Sequence, residues 1–418
     1  MASRLEIWRL LKSPHFPQKA IHVSLSHDDL SSPCSPRCAD EGTKELADLM
    51  NRLGTVAEQR KRRGKIYSLA FVLTASLIAV LGGAKNFREV ADQIADFPQE
   101  LLRTLDGTWC HFRGRYRTPS EKTVRYVFSG IDASALDKAV GTWLQEHSRR
   151  DIGDVLCLAV DGKTLRGVTC DDDHQFTLFS AMVHQEGVTI AQVAVPPDTK
   201  ENTQVKALLE QVTAREGERV VVTMDAAHTQ RDTASYLAGT RGFDYVMNVK
   251  GNRPTLFNAV FIKASPLVKN KPDHTISERG HGRINQWETR ITAANGINFP
   301  HARQVGCIRR DVYALDNQRI SREYAWIITS IPAKNMDAAR LHEHVRSHWG
   351  IENKSHYVRD TTWREDTQHV TTKNAAHAMA TLRNTAISLL RLHQHHDIKR
   401  TTERICRNPS RALHLLIT

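Results

Sequence analysis

Cysteine is scarce in this chain of 418 residues, and its seven copies are scattered without a pairing pattern. Cys34 and Cys38 lack the second pair that would complete a zinc site. An odd, scattered set argues against a disulfide-stapled secreted fold and is typical of a reduced protein. The start of the chain also lacks the apolar run and cleavage site of a signal peptide, so we expect a cytoplasmic protein.

Long charge-free runs are almost absent, with one exception at residues 66–84. This run follows the basic residues 60–63, as a membrane span with a positive flank would. It is barely long enough to span, is rich in Ala, Ser and Thr, and ends in Gly82 and Gly83. We therefore predict a helix buried on all sides and no membrane contact; a membrane anchor is the alternative, which cell fractionation would test.

Excess positive charge is confined to the C-terminal part of the chain. Residues 251–330 contain 12 basic and 6 acidic side chains, and residues 331–418 contain 14 and 8. The net charge of the whole chain is +12, so the first 250 residues are neutral overall. This distribution predicts a polyanionic partner, most simply nucleic acid.

The first 150 residues combine a polar lead-in with helical patterns. Residues 1–43 are rich in Ser, Pro and Asp and lack periodicity, which predicts disorder. Residues 118–147 contain two capped helices, with Ser120 and Asp132 as N-caps and Gly130 between them. This helix–turn–helix spacing is compatible with DNA binding, but in an all-helical domain it more often reflects packing alone.

Two aspartates follow apolar strands in the central region. Asp161 ends one run, with Gly162 and Lys163 as a turn, and Asp225 ends another. The predicted strands cover residues 155–161, the two halves of 176–195, 219–224 and 243–250, with helices near 202–213 and from about 229. This is the order of a ribonuclease H-like core, in which the first and fourth strands are neighbours. Each Asp alone is as simply a turn or helix cap, but this order brings the two together.

A third acid, Glu352, lies in an amphipathic helical pattern among basic and aromatic residues. A lone Glu of this kind is ordinarily a salt-bridged surface residue. Together with Asp161 and Asp225, it supplies the three carboxylates from which a metal site can be built.

The 126 residues between Asp225 and Glu352 exceed what the core needs. Alternating apolar and polar residues over 253–330 predict an inserted β-rich subdomain. Its candidate DNA-tracking residues are His281, Arg283 and Arg290, although these charges could merely solubilise exposed strands. Residues 393–418 are basic with clustered histidines and are predicted to be a solvated tail.

Several motifs occur in a family-specific order: AVDGKTLRG (159–167), TMDAAHTQ (223–230), NVKGNRP (248–254), HGRI (281–284), HWGIEN (348–353) and NAAHAMATLRNTAISLL (374–390). In this order they resemble the DDE transposases of bacterial insertion sequences, of the ISAs type related to H-repeat-associated proteins. The resemblance covers residues 45–392. It implies that Asp161, Asp225 and Glu352 are the DDE triad.

The broader group carries a Tyr, an Arg and a Lys at fixed distances around the third acid. These positions are occupied here by Val345, His348 and Arg359. Only His348 and Arg359 keep the basic character, and both are candidate phosphate contacts. The missing Tyr departs from the pattern that supports end processing. Trp349 matches the aromatic residue before the acid and either packs or stacks on a base. Other candidate DNA contacts, each also open to a structural explanation, are Lys163, Arg166 and His228.

We therefore predict an α/β fold: a ribonuclease H-like catalytic core with a β-rich insertion, preceded by a small all-helical domain. The predicted function is a DNA transposase with two Mg²⁺ ions, Mn²⁺ being the alternative, that cuts transposon ends and transfers strands into target DNA. Its predicted partners are the terminal inverted repeats and the target, both double-stranded, and a second copy of itself at the bacterial nucleoid. The alternative is a repurposed or inactive DNA-binding protein or nuclease that retains the fold.

The predicted divisions are residues 1–43 (disordered lead-in), 44–150 (helical N-terminal domain, a candidate for DNA binding), 151–252 (first part of the core), 253–330 (β-rich subdomain), 331–392 (helical return of the core with the third acid) and 393–418 (basic tail).

Overall fold

The computed structural model describes residues 36–61, 65–148, 155–168, 175–368 and 372–416. These residues form a mixed α/β protein with a nine-stranded mixed sheet, a two-stranded hairpin and surrounding helices. The predicted disorder of residues 1–35 lies outside the described residues. Residues 36–43, which the sequence analysis placed in the lead-in, belong to the first helix instead.

The N-terminal part is helical. Its elements are α1 (Pro36–Gly54), α2 (Leu69–Leu81), α3 (Phe87–Ala95), α4 (Gln99–Thr104), the hairpin β1 (Trp109–Cys110) and β2 (Arg115–Tyr116), α5 (Glu121–Gly130) and α6 (Ala133–His147). Helix α2 begins at the N-cap Ser68, whose side chain accepts from the backbone N–H of Phe71. All its residues except Ala70 are buried, which confirms the prediction of a helix buried on all sides. No helix in the described part of the chain is both long and apolar enough to span a membrane.

The large sheet contains β3 (Val155–Leu165), β4 (Phe176–Val183), β5 (Thr189–Val195), β6 (Arg219–Met224), β7 (Asp244–Val249), β8 (His274–Gly280), β9 (Arg283–Ala293), β10 (Gln304–Ala314) and β11 (Arg319–Thr329). Its strand order is β5-β4-β3-β6-β7-β11-β10-β9-β8. Strands β3, β6 and β7 are parallel neighbours, and the remaining pairs are antiparallel. The first and fourth predicted strands, β3 and β6, are therefore adjacent, as expected.

The helices between these strands are α7 (Val205–Leu209), α8 (Arg231–Ala234), which continues as a π-helical segment over Ser235–Arg241, and α9 (Pro254–Ala264). Helix α6 buries Leu136, Val140 and Trp143 and contacts strand β5. This contact is the packing role that the sequence analysis gave as the alternative for the helix–turn–helix segment.

Two predictions about strands need correction. No turn follows Asp161, because residues 161–165 continue β3 and pair with β4. Residues 253–330 are rich in strands, as predicted, but they do not form a separate sheet. Strand β11 pairs with β7 through Trp326–Thr329, so the segment extends the core sheet and covers an edge that would otherwise be unpaired.

The C-terminal part is helical, with α10 (Ala338–His348), a π-helical segment Glu352–His356, α11 (Tyr357–Thr362), α12 (Lys373–Leu392) and α13 (Ile398–Arg407). Residues 393–416 are not a loose end, which corrects the prediction of a solvated tail. Ile398, Ile405 and Leu415 are buried in the same hydrophobic cluster as α2. The helical N-terminal part and the sheet thus share one core. A hydrogen bond of 2.9 Å from Trp363 Nε1, at the end of α11, to the carbonyl of Val80 on α2 joins the C-terminal helices to the N-terminal ones.

Candidate active site

The positions of the three predicted acids follow from the pairing of β3 with β6 and from the π-helical segment that begins at Glu352. Ala159 of β3 and Thr223 of β6 form the last pair of the parallel ladder, and Asp161 and Asp225 lie two residues beyond it. Glu352 begins the π-helical segment, which has a wider turn than an α-helix. His356 ends that segment and places Nδ1 3.7 Å from Asp161 Oδ2.

Asp161 is at the centre of a cluster of negative charge. Burial and, after it, the charges of Glu352, Asp225 and Glu201 together raise the pKa of this carboxyl to about 7. The charges of the other two predicted acids therefore act on Asp161, together with that of a fourth carboxylate, Glu201.

Glu201 was not predicted from the sequence. It begins a 3-10 segment, Glu201–Gln204, in the connection between β5 and α7. One side-chain oxygen each of Asp161 and Glu201 and a ring nitrogen of His228 all lie within 4.8 Å of one another. The only signal in the sequence was an acid between Lys200 and Asn202, which has no periodicity to distinguish it from a solvated loop residue.

The donor set fits a divalent cation. Carboxylate oxygens dominate it, and these are the ligands that hard ions such as Mg²⁺ prefer. Among the described residues, the ion pairs give these carboxylates only histidine partners, and no Lys or Arg. Asp161, Glu201 and His228 therefore form a group that could hold a metal ion, and the charges of Asp225 and Glu352 act on its Asp161.

A comparison with known families decides what this site belongs to. Residues 155–389 match the family described as "Transposase DDE domain", and residues 50–144 match the one described as "DDE_Tnp_1-associated". The first match alone spans more than half of the chain, from the strand of Asp161 to the helix after Glu352. The chain belongs to the DDE transposase family. It is thus an insertion-sequence type of DDE transposase, an enzyme that binds DNA and depends on a divalent metal.

Curated relatives agree with this assignment. "Putative transposase YncI" of Escherichia coli O157:H7 is 28% identical over 83% of this chain and 87% of its own length. "H repeat-associated putative transposase YhhI" of Escherichia coli K12 is 25% identical over 83% of this chain and 91% of its own length. A solved piggyBac transposase synaptic complex with hairpin DNA covers 90% of this chain and 80% of that chain, with a TM-score of 0.41 and 9% identity. A likeness this distant does not by itself establish the fold.

Two predicted phosphate contacts of the transposase are in fact buried ion-pair partners. Lys163 Nζ lies 2.8 Å from both carboxylate oxygens of Asp360 and 3.4 Å from Asp366. Arg359 is 0% exposed, and its Nη2 lies 2.6 Å from Glu365 Oε2. A buried cation requires such a partner, so neither side chain is placed to reach DNA, and both predictions were wrong.

His348 is a third correction. It is buried, and its Nδ1 lies 3.0 Å from the hydroxyl of Thr223. Burial lowers the pKa of His348 to about 4, so the ring is neutral at pH 7. A neutral, enclosed imidazole does not provide the phosphate contact that the sequence predicted.

The remaining predicted contacts differ in their surroundings. Arg283 is exposed, directly after the positive-φ turn residues His281 and Gly282 of the β8–β9 hairpin. Arg166 is also exposed, with Nε 3.7 Å from Asp366. Arg290, in contrast, is buried and donates to Glu288 and to the carbonyl of Asn270, so it is not placed to track DNA.

Trp349 is 48% exposed and lines a cavity of about 570 Å³. Its lining also includes the aromatic and basic residues Trp287, Tyr324, Trp326, Arg310 and Arg346. Val345, at the position of the missing Tyr, also lines this cavity. The cavity leaves Trp349 accessible, so its ring is available for stacking.

Proposed function

We propose that this transposase cuts DNA at the terminal inverted repeats of its own element and joins the freed 3′ ends to target DNA. Asp161, Asp225 and Glu352 act as the metal-binding triad. The pairing of β3 with β6 carries the proposal, because it ends two residues before Asp161 on one strand and two residues before Asp225 on the other. The charge of Glu352 also acts on Asp161.

The core that supports this site is proposed to be ribonuclease H-like. Three consecutive antiparallel strands, β3, β4 and β5, are followed along the chain by β6 and β7. The parallel strands β6 and β7 lie on the other side of β3. This arrangement supports the assignment, with β8–β11 as an extension of the sheet.

Two Mg²⁺ ions, with Mn²⁺ as the alternative, would activate the attacking oxygen and stabilise charge on the leaving oxygen. Asp161, Asp225 and Glu352 would hold them. In cleavage, a water oxygen bonds to phosphorus, the bond to the 3′ oxygen breaks, and that oxygen takes up a proton in place of the one that water loses. In strand transfer, the 3′-hydroxyl attacks a target phosphodiester, and one new 3′-hydroxyl is released. The numbers of bonds and protons balance in both steps, with water as the only reactant besides DNA.

DNA contacts in this proposal come from exposed residues outside the group of carboxylates. Arg166 and Arg283 provide positive charge for phosphates, and Trp349 provides a face on which a base can stack. An insertion element has two ends to process, so we propose that the transposase works as a homodimer on DNA.

A metal-dependent cleavage and strand-transfer assay on the terminal repeats tests the proposal. Asp161→Asn, Asp225→Asn and Glu352→Gln should each reduce cleavage to background while DNA binding is retained. Asp232→Asn, which changes an exposed acid on α8, is the matched control and should retain activity. Full activity in any of the three variants would remove that residue from the triad. DNA binding without cleavage by the wild-type chain would favour the inactive or repurposed alternative.

A further inference from the structure

We propose that Glu201 is a fourth carboxylate ligand of the metal centre, outside the triad of the family. This inference rests on the proposed function, since it adds a ligand to the same site. Glu201 lies in the connection after β5, so a third segment of the chain reaches Asp161 besides the segments that carry Asp225 and Glu352.

The backbone of β3 is shaped to admit this side chain. A Cβ added at Gly162 would lie 2.2 Å from Glu201 Oε1 and 2.3 Å from its carboxyl carbon. Any side chain at this position would therefore displace the carboxylate. Gly162, next to Asp161, allows the close approach of Glu201 and does not form a turn, because β3 continues through it to Leu165.

His228 gives an independent indication of a ligand at this point. It is 1% exposed, and neither ring nitrogen forms a hydrogen bond. Its Nε2 nevertheless points into the cluster, 3.3 Å from Glu201 Oε2 and 3.8 Å from Asp225 Oδ1. A buried imidazole without hydrogen bonds is costly unless another group occupies the site. We assign His228 as a positioning residue for the carboxylates of Glu201 and Asp225.

Electrostatics point in the same direction. Asp161 and Glu201 lie together with His228, Asp225 lies 3.8 Å from the same histidine, and the charge of Glu352 acts on Asp161. Within the described ranges no Lys or Arg forms an ion pair with any of these four carboxylates. Like charges at this density repel one another, and a divalent cation is the simplest group that would neutralise them. A bound metal therefore explains why the Glu201 carboxylate lies against Asp161 and His228.

Titration calorimetry with Mn²⁺ alone tests the inference on the full-length chain. Glu201→Gln should weaken Mn²⁺ binding by about tenfold or more, the range seen when groups that support a metal are removed. Asp161→Asn serves as the reference for the triad, and Glu216→Gln, an exposed acid, serves as the control that should bind like the wild type.

A metal-free melting temperature separates a ligand role from a structural one. Loss of one like charge should leave the melting temperature of Glu201→Gln unchanged or raise it, whereas loss of a structural contact would lower it. Gly162→Ala is the second variant, since its Cβ displaces the Glu201 carboxylate while leaving that residue in place; it should weaken Mn²⁺ binding as Glu201→Gln does.

The outcomes distinguish this inference from the proposed function. Weak binding by Asp161→Asn with wild-type affinity in Glu201→Gln would overturn the role of Glu201 alone. Wild-type affinity in Asp161→Asn would overturn the triad on which both proposals rest. Failure of the wild-type chain to bind Mn²⁺ would overturn the four-carboxylate centre, and the cleavage assay would still decide the function.

Discussion

The hydroxyl of Thr223 lies 3.0 Å from Nδ1 of His348, and this contact joins the strand that ends before Asp225 to the helix that precedes Glu352. The same hydroxyl donates to the carbonyl of Leu158 at 3.1 Å and lies 2.9 Å from Nε2 of His184. A hydroxyl offers one donor and two acceptor sites, so both histidines donate to it. Burial keeps both rings neutral, since it lowers the pKa of each.

Thr223→Val is expected to disturb the site without touching a metal ligand. The change removes the hydroxyl that accepts from two buried histidines and donates to the Leu158 carbonyl, and a buried polar group left unsatisfied costs about 1–3 kcal/mol. We expect a lower free energy of unfolding in urea and slower cleavage with DNA affinity retained. Thr223→Ser keeps the hydroxyl and should behave like the wild type. Equal cleavage by both variants would show that this contact does not position the acids.

Glu365→Gln is expected to destabilise the fold strongly at neutral pH. The carboxylate of Glu365 is buried, with Arg359 Nη2 at 2.6 Å and Arg383 Nη1 at 2.7 Å. Removal of its charge leaves two buried guanidinium groups without compensation, which costs about 3–5 kcal/mol. Glu216→Gln on the surface is the control and should leave the urea midpoint unchanged.

The pH dependence of this destabilisation has a definite sign. Burial alone would raise the pKa of Glu365, but the charges of Arg359 and Arg383 lower it to about 2, against an ordinary value of 4.5. The stabilisation is therefore complete above pH 4.5 and is lost as the pH falls towards 2. Urea midpoints measured over this range should converge for the wild type and Glu365→Gln. A constant difference between them would contradict the assignment.

Arg283 and Arg290 form a matched pair on the same strand, one exposed and one buried. Arg283→Ala should weaken DNA binding and reduce the slope of log K against log salt by about 1, without loss of stability. Arg290→Ala should instead lower the melting temperature, because Glu288 Oε2 and the Asn270 carbonyl lose the guanidinium that donates to them. An unchanged salt slope in Arg283→Ala would exclude this residue from the DNA surface.

Ile405→Ala tests whether the C-terminal segment belongs to the core. Ile405 is buried with α2 in the main hydrophobic cluster, so its truncation should cost about 2–5 kcal/mol in the free energy of unfolding. Ile262→Ala is the control, since Ile262 is 73% exposed and should contribute little. If the two variants unfolded at the same urea concentration, the segment after α12 would not be part of the stable core.

Local patterns in the sequence were sufficient for much of the site. Apolar runs that end in Asp161 and Asp225 predict strands, and their order makes β3 and β6 neighbours, so the meeting of the two acids follows from connectivity. The helix before Glu352 and the buried helix α2 were also predictable, because their hydrophobic spacing is a property of adjacent residues. The motifs around these residues were enough to indicate the transposase family, which the comparison then established.

The partners of charged side chains were decided only by the tertiary structure. Lys163, Arg359 and His348 have the composition of a DNA-contacting surface, yet each is buried against a partner from a different segment. Glu201 showed no pattern at all, because its position depends on a close approach to Gly162 across the fold. Sequence by itself determined which carboxylates the strands deliver to the site. Which other charges meet them depends on long-range packing, since a charge carries no periodicity that records its partner.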